Sequence, residues 1–99
     1  MQVPTISIHG KNYVMVKDRI ALFYDTHPHG CIQTEIIDYK DGHWIVKAIC
    51  YPEPQERPET FYTGHAHESQ GSTQINQTSA LENCETSAVG RCLAMAGFG

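Results

Sequence analysis

Apolar residues between positions 13 and 24 recur at spacings of three and four, and charged residues fill the gaps between them. The recurring apolar residues are Tyr13, Val16, Ile20, Phe23 and Tyr24. On a helix these residues share one side, while Lys17, Asp18 and Arg19 lie on the other. We therefore predict an amphipathic helix over residues 13–24, ended by the turn-forming sequence THPHG that follows it.

Two runs rich in β-branched and aromatic residues flank the dipeptide Asp41-Gly42. The runs read CIQTEIIDYK and HWIVKAICY. Because Asp-Gly favours the positive φ angles of a type I′ turn, the runs are predicted to form a β-hairpin over residues 31–51. Uninterrupted pairing would place Ile37 opposite Val46. Both hairpin faces are partly apolar, which predicts a central position with at least partial cover on both sides.

Three further segments complete the predicted order of elements. Residues 3–8 are predicted to form a short edge strand, and the alternating segment ETFYTGHAHES a third strand beside the hairpin. The last helix is predicted to begin at Ser79, which forms a capping box with Glu82, and to stop at Gly97. The order β-α-β-β-β-α predicts a single α+β domain over residues 1–99, with helices packed on an antiparallel sheet.

The last helix carries small residues on the side where a solvated helix would carry long charged ones. Its predicted inward stripe contains Leu81, Cys84, Ala88, Cys92 and Met95. The opposite side contains Asn83, Thr86, Ser87, Gly90 and Ala94. Small side chains allow another backbone to approach closely, so this helix is predicted to be contacted on both sides. The second surface could be another part of the domain, a neighbouring subunit or a nucleic-acid backbone.

The composition is that of a folded protein, since 40% of the 99 residues are hydrophobic and 18% are charged. No run of about 18 apolar residues is present, so no membrane association is expected. No signal-peptide pattern is visible, which favours a cytoplasmic location and four reduced, packed cysteines. A net charge of −4 argues against a protein that coats duplex nucleic acid by charge alone.

The segment ALENCETSAVGRCLA at positions 80–94, followed by GFG at 97–99, resembles a helix of small phage proteins that bind or anneal single-stranded DNA. These proteins are similar to the Erf and RecT/Red-beta recombination mediators. The upstream segments TEII (34–37), VKA (46–48) and TGHAHE (63–68) fit the same pattern. The resemblance implies a homo-oligomeric ring or filament that holds single-stranded DNA in a groove during phage recombination, in the cytoplasm of the host.

On this interpretation the candidate nucleic-acid contacts are cations, hydroxyls and one aromatic ring. They are Lys11, Lys17, Arg19, Lys47, Arg57, Arg91, Thr86, Ser87 and Trp44. The cations would neutralise phosphates, the hydroxyls would donate to phosphate oxygens and the indole would stack on bases. Structural roles remain open for several of them: Arg91 could pair with Glu85 or Glu68, and Trp44 could pack in the core.

Other classes of function receive less support from the residues. His65 and His67 share one strand face and could join Cys31, Cys50 or Glu68 around a metal ion, but the spacing matches no zinc signature. Neither a strained nucleophile turn nor a Gly-rich phosphate loop is present, so no enzymatic activity and no cofactor are predicted. The alternative function is a small non-enzymatic phage accessory protein that binds a protein partner through its C-terminal helix.

Overall fold

A computed structural model describes residues 6–8, 11–71 and 74–99, with the side chains of 14–71 and 79–99. In chain order the elements are β1 (Ile6–Ile8), β2 (Lys11–Tyr13), α1 (Val16–Thr26), β3 (Cys31–Lys40), β4 (His43–Tyr51), β5 (Tyr62–Ser69) and α2 (Gln74–Met95). Strands β3, β4 and β5 form an antiparallel sheet in that spatial order. Both helices pack on this sheet, so the predicted α+β class is confirmed.

The N-terminal strand is placed differently from the prediction. Strand β1 pairs antiparallel with β2 in a separate two-stranded sheet, and it does not form the edge of the main sheet. Tyr13, predicted to begin the first helix, belongs to β2. Positions 3–5 of the predicted strand lie outside the described residues.

Helix α1 confirms the amphipathic pattern, although it begins at Val16. Phe23 has no exposed surface, and the half-buried Val16 and Ile20 pack against the core around it. The helix ends where the N–H of His27 donates to the carbonyl of Phe23 at 2.7 Å. Pro28 follows directly, and proline disfavours helical angles in the residue before it.

The β3–β4 hairpin turns at the predicted dipeptide. Asp41 and Gly42 have φ angles of 52° and 79°, as a type I′ turn requires. Lys40 lies opposite His43, so the pairing next to the turn is also as predicted.

A β-bulge in β3 shifts the rest of the predicted register. Pairing is interrupted between Ile36 and Asp38, so that Ile36 rather than Ile37 lies opposite Val46. The extra residue moves the first half of β3 by one position, and its side chains lie on the faces opposite to those predicted. The prediction of uninterrupted pairing is therefore wrong.

The helices cover one face of the sheet. On the central strand β4, Val46, Ala48 and Cys50 are buried beneath them, and the alternate residues point the other way. In the described part of the chain no helix or strand covers that second face, which we call the open face, and β3 is an edge strand. The prediction of a central hairpin covered on both sides is therefore wrong.

Helix α2 is longer than predicted, because it begins at Gln74. Ser79, the predicted N-cap, has non-helical angles (φ −141°, ψ 25°) and separates a short first segment from the main helix. The predicted stop is confirmed, since the helix ends at Met95 and Gly97 has a φ of 94°. Neither α1 nor α2, among the residues that the structure describes, combines the length and apolar character needed to span a bilayer.

Small residues of α2 allow this helix to pack closely on β5. A Cβ at Gly64 would lie 2.7 Å from the carbonyl oxygen of Ala88 and would also meet the backbone nitrogen of Cys92. The buried hydrophobic residues in the described part of the helix are Ala80, Cys84, Ala88, Val89, Cys92 and Leu93. Met95, predicted to belong to the inward stripe, is instead 71% exposed.

The other side of α2 receives helix α1 at Gly90. A Cβ on Gly90 would lie 2.7 Å from Val16 Cγ2, and Arg19 Nη1 donates to the Gly90 carbonyl at 2.7 Å. Among the other small residues of this side, Asn83 and Ser87 are half-buried, whereas Thr86 and Ala94 are exposed. The helix is thus contacted on two sides, and at Gly90 the second surface is another part of the same domain.

Candidate nucleic-acid interface

The open face of the sheet displays cationic and polar side chains in rows across the strands. Three neighbouring rows, read from β3 through β4 to β5, are Glu35-Lys47-His65, Asp38-Ile45-His67 and Lys40-His43-Ser69. Directly paired residues share a face, so these nine residues form one continuous surface. It contains two lysines, three histidines and two carboxylates. Lys47 lies at its centre, half-buried between Glu35 and His65.

Two of the histidines on this face are held in a fixed arrangement. The rings of His43 and His67 stack with centroids 5.5 Å apart and planes 14° apart. His43 Nδ1 lies 2.6 Å from Ser69 Oγ, which orients its ring. Exposed imidazole rings offer N–H groups to phosphate or sugar oxygens and flat surfaces for stacking.

The two helices carry four carboxylates and three cations, whereas the two lysines of the open face are matched by Glu35 and Asp38. Lys17 is exposed at the start of α1. The carboxylates of the two helices are Asp18, Asp25, Glu82 and Glu85. Thr86 and Ser87, two of the predicted phosphate contacts, lie on this acidic side next to Glu85. Phosphates would be attracted less here than at the open face.

The predicted contacts Arg19 and Arg91 both make hydrogen bonds inside the domain. Arg19 donates from Nη1 to the Gly90 carbonyl, and its Nε is buried without a hydrogen-bond partner. Arg91 Nη1 donates to the carbonyl of His65 at 3.1 Å, at the outer strand β5. Arg91 remains exposed and has further N–H groups for a ligand, whereas Arg19 is turned toward α2.

Trp44 and Lys47 do not share a surface. Trp44 lies on the helix-covered face of β4, half-buried, with its ring 4.1 Å from that of Tyr39. Arg57 lies in the β4–β5 loop beside a cavity at the end of the molecule opposite the hairpin turn. Lys11 belongs to β2, and its side chain lies outside the described residues.

The structure separates the residues considered for a metal site. His65 and His67 point to the open face, whereas Cys50 is buried on the helix side. Among the residues whose side chains are described, no three histidine, cysteine or acidic residues come together as metal ligands.

Three cysteines lie between α2 and the sheet as buried thiols. Cys50, Cys84 and Cys92 have no exposed surface, and the sulfur atoms of Cys50 and Cys92 are 3.2 Å apart. Burial raises the pKa of all three thiols, and it raises the pKa of Cys50 to about 12. A thiol that keeps its proton is a poor nucleophile, so packing accounts for these residues better than chemistry does.

One family model matches this chain. It is described as Slr1353 N-terminal dsRNA-binding domain-like, and it matches residues 20–96. No curated protein matches the chain. The match overturns the predicted resemblance to phage annealing proteins of the Erf and RecT/Red-beta type, because it covers the ETSAVGR segment on which that resemblance depended and belongs to a different family. Close packing against Gly64 and α1 explains Ala88 and Gly90 of that segment.

Proposed function

The chain belongs to the Slr1353 N-terminal dsRNA-binding domain-like family, and from this membership we propose that it binds double-stranded RNA through the open face of its sheet. The observation that carries the proposal is the charge distribution. Lys40, Lys47 and the three histidines lie together on the open face beside two carboxylates, whereas exposed carboxylates outnumber exposed cations on the helices. Nucleic-acid affinity depends first on cations that neutralise phosphates.

The shape of the open face suits an A-form duplex. A-form RNA has a wide, shallow minor groove that displays 2′-hydroxyls and phosphates, and proteins recognise it largely by shape. A three-stranded sheet is broad enough to lie across such a groove, where a flat surface contacts both backbones. The exposed imidazole of His65, beside Lys47, supplies a polar group suited to the 2′-hydroxyls.

The small number of cations sets the expected strength of binding. With Lys40 and Lys47 on the open face and Arg91 at its edge, about three phosphates would be neutralised, and the slope of log K against log[salt] would be about −2 to −3. The net charge of −4 further weakens long-range attraction. We therefore expect modest affinity, with specificity for the duplex form.

Fluorescence anisotropy with a labelled RNA duplex of about 16 base pairs tests the proposal across a salt series. Lys47→Ala and Lys40→Ala are each expected to weaken binding and to reduce the salt slope by about one. Lys17→Ala is the matched control, because it removes an exposed lysine from the acidic helix side, and it is expected to leave affinity unchanged.

Three results would contradict this interface. They are the absence of binding to the RNA duplex at low salt, a loss of affinity in Lys17→Ala that equals the loss in Lys47→Ala, and equal affinity for the DNA duplex of the same sequence. The last comparison matters because the 2′-hydroxyl and the A-form groove distinguish RNA from DNA. A homo-oligomer and a cytoplasmic location stay predictions; light scattering on the same samples would test the former.

A further inference from the structure

A cavity of about 210 Å³ lies at the end of the molecule opposite the hairpin turn, where both helices end. We call it the loop-end pocket. Its wall combines the end of α1, the β4–β5 loop and the residues that follow α2. The side chains that give it chemical character are His27, Glu53, Arg57, Thr60, Tyr62 and Phe98. It shares no residue with the three rows of the open face.

The acidic side of the pocket is fixed by a short hydrogen bond. His27 Nδ1 lies 2.8 Å from Glu53 Oε1, so the carboxylate and the ring orient each other. The second oxygen of Glu53 is then the one that can accept from a ligand. The Glu53 side chain is 42% exposed, so it can be reached from solvent.

The cationic side of the pocket is supplied by Arg57. The loop folds back on itself, since the Arg57 N–H donates to the Glu53 carbonyl at 2.7 Å and the Thr60 N–H donates to the Arg57 carbonyl at 3.1 Å. Among the described residues, Arg57 and Glu53 form no ion pair with each other. Arg57 and Glu53 therefore line one cavity without an ion pair between them that would neutralise either charge.

An aromatic ring forms part of the pocket wall. Phe98 packs edge-on against Phe23 at 5.6 Å and against His27 at 5.9 Å, measured between ring centroids. Because Phe23 is fully buried, Phe98 is anchored to the core and not free to move away. The pocket thus combines a fixed apolar wall with hydrogen-bonding groups.

We propose that the loop-end pocket binds a guanine base. The cavity is smaller than the roughly 300–1,000 Å³ typical of sites for drug-sized ligands, so it suits a single flat ring system. Arginine donates to O6 and N7 of guanine, and a carboxylate accepts from base N–H groups. Arg57 and Glu53 supply these two functions. Proteins that hold an isolated base use hydrogen bonds to its edge together with apolar packing on its face.

Other ligands fit the pocket less well. Adenine presents its N6 amino group where guanine has O6, so Arg57 would face a donor. A simple anion would meet Glu53, with Glu56 and Glu59 in the same loop. The guanine could belong to a free nucleotide or to an unpaired residue of an RNA strand, and the chemistry of recognition is the same for both.

Titration of the ¹⁵N-labelled protein by NMR tests the proposal, with GMP, guanosine, AMP and inorganic phosphate as probes. GMP and guanosine are expected to shift the amide signals of Arg57, Thr60 and Phe98 in a saturable way. AMP is expected to bind at least about tenfold more weakly, and phosphate alone to shift none of these signals. No RNA duplex is present, so the result does not depend on the proposed function.

Two single substitutions in the β4–β5 loop test whether Arg57 contributes to GMP binding. Arg57→Gln is expected to weaken GMP binding at least about tenfold without affecting folding, because the side chain is exposed. Glu56→Gln, in the same loop but outside the cavity wall, is the control and should bind GMP as the unmodified chain does. Absence of saturable shifts at millimolar GMP, equal binding of AMP, shifts with phosphate alone, or an unaffected Arg57→Gln would each overturn the proposal.

A second comparison distinguishes a free nucleotide from an unpaired RNA residue as the source of the guanine. RNA duplexes with one unpaired 3′ guanosine or adenosine are titrated beside guanosine. Binding of guanosine alone supports a free-nucleotide site. A preference for the guanosine overhang that disappears in Arg57→Gln supports an unpaired RNA residue. If neither guanine source is preferred over its adenine counterpart, the pocket is not a guanine site.

Discussion

At the scale of single residues, Gly64 determines how closely α2 approaches the sheet. The groups that a Cβ at this position would meet belong to the helix backbone, namely the Ala88 carbonyl and the Cys92 nitrogen. A backbone cannot move aside as a flexible side chain can, so the whole helix would have to shift. The sequence contains the glycine but cannot show that a helix lies above it.

Gly64→Ala is expected to lower the free energy of unfolding by about 2 kcal/mol or more, the cost of inserting a methyl group into a well-packed core. Urea denaturation followed by circular dichroism would measure the loss. His65→Ala changes the exposed neighbouring side chain on the other face, and a change of no more than about 0.5 kcal/mol is expected for it. Similar stabilities for the two variants would mean that α2 does not rest on Gly64.

The buried Cys50 thiol predicts a loss of stability in alkaline solution. Burial raises its pKa from 9.0 to about 12, so the folded state holds a proton that the unfolded chain releases between these values. This contribution to the free energy of unfolding is fully present below about pH 9 and decreases by about 1 kcal/mol per pH unit as the pH rises toward 12.

Urea denaturation at several values between pH 8 and pH 11 measures this dependence. We expect Cys50→Ala to be less stable at pH 8 and to lose stability less steeply with rising pH than the unmodified chain. Cys31→Ala, which changes a half-buried cysteine on the other face of the sheet, is the control. Parallel curves for Cys50→Ala and the unmodified chain would contradict this assignment.

At the scale of elements, the contact between α1 and α2 depends on a pair of residues 71 positions apart. Arg19 reaches from α1 to the Gly90 carbonyl, and Val16 packs where a side chain on Gly90 would lie. A charged residue in an amphipathic helix is ordinarily solvated, so the local pattern gave no sign of this inward bond. Arg19 was therefore predicted to contact nucleic acid.

Arg19→Met is expected to lower the free energy of unfolding by about 1–2 kcal/mol, because a hydrogen bond from a charged donor is lost. The apolar stem of the new side chain preserves much of the packing. Lys17→Met, two positions earlier and exposed, should change stability by less than about 0.5 kcal/mol. Thermal denaturation of the two variants in parallel distinguishes an internal role for Arg19 from a surface role.

The elements that local signals determine were predictable, and those set by long-range contacts were not. Asp41-Gly42 identified the hairpin turn, and the apolar spacing identified α1. The bulge in β3 has no such signal, since TEIIDY reads as an ordinary strand and its register depends on the neighbours in β4. The break at Ser79 was predicted as a helix start, but the helical segment before it was not.

At the scale of the whole molecule, the candidate interface was only partly visible in the sequence. Lys47 was identified as a cation in a strand, and it lies at the centre of the open face. Trp44, its predicted companion in nucleic-acid binding, faces the helices, because alternate residues of a strand point to opposite sides. His65 and His67 were already predicted to share a strand face, and only His43 became their neighbour through strand pairing.

The bulge of β3 also bears on how copies of this molecule can meet. A long outer strand invites pairing with an outer strand of another copy, and repeated pairing through both edges of the sheet builds fibrils. The offset at Ile36 and Asp38 interrupts the row of backbone donors and acceptors that such an incoming strand would have to follow. Deletion of Ile37 would remove the bulge and leave β3 as a regular edge strand. We then expect the variant to precipitate at concentrations at which the natural chain stays dissolved.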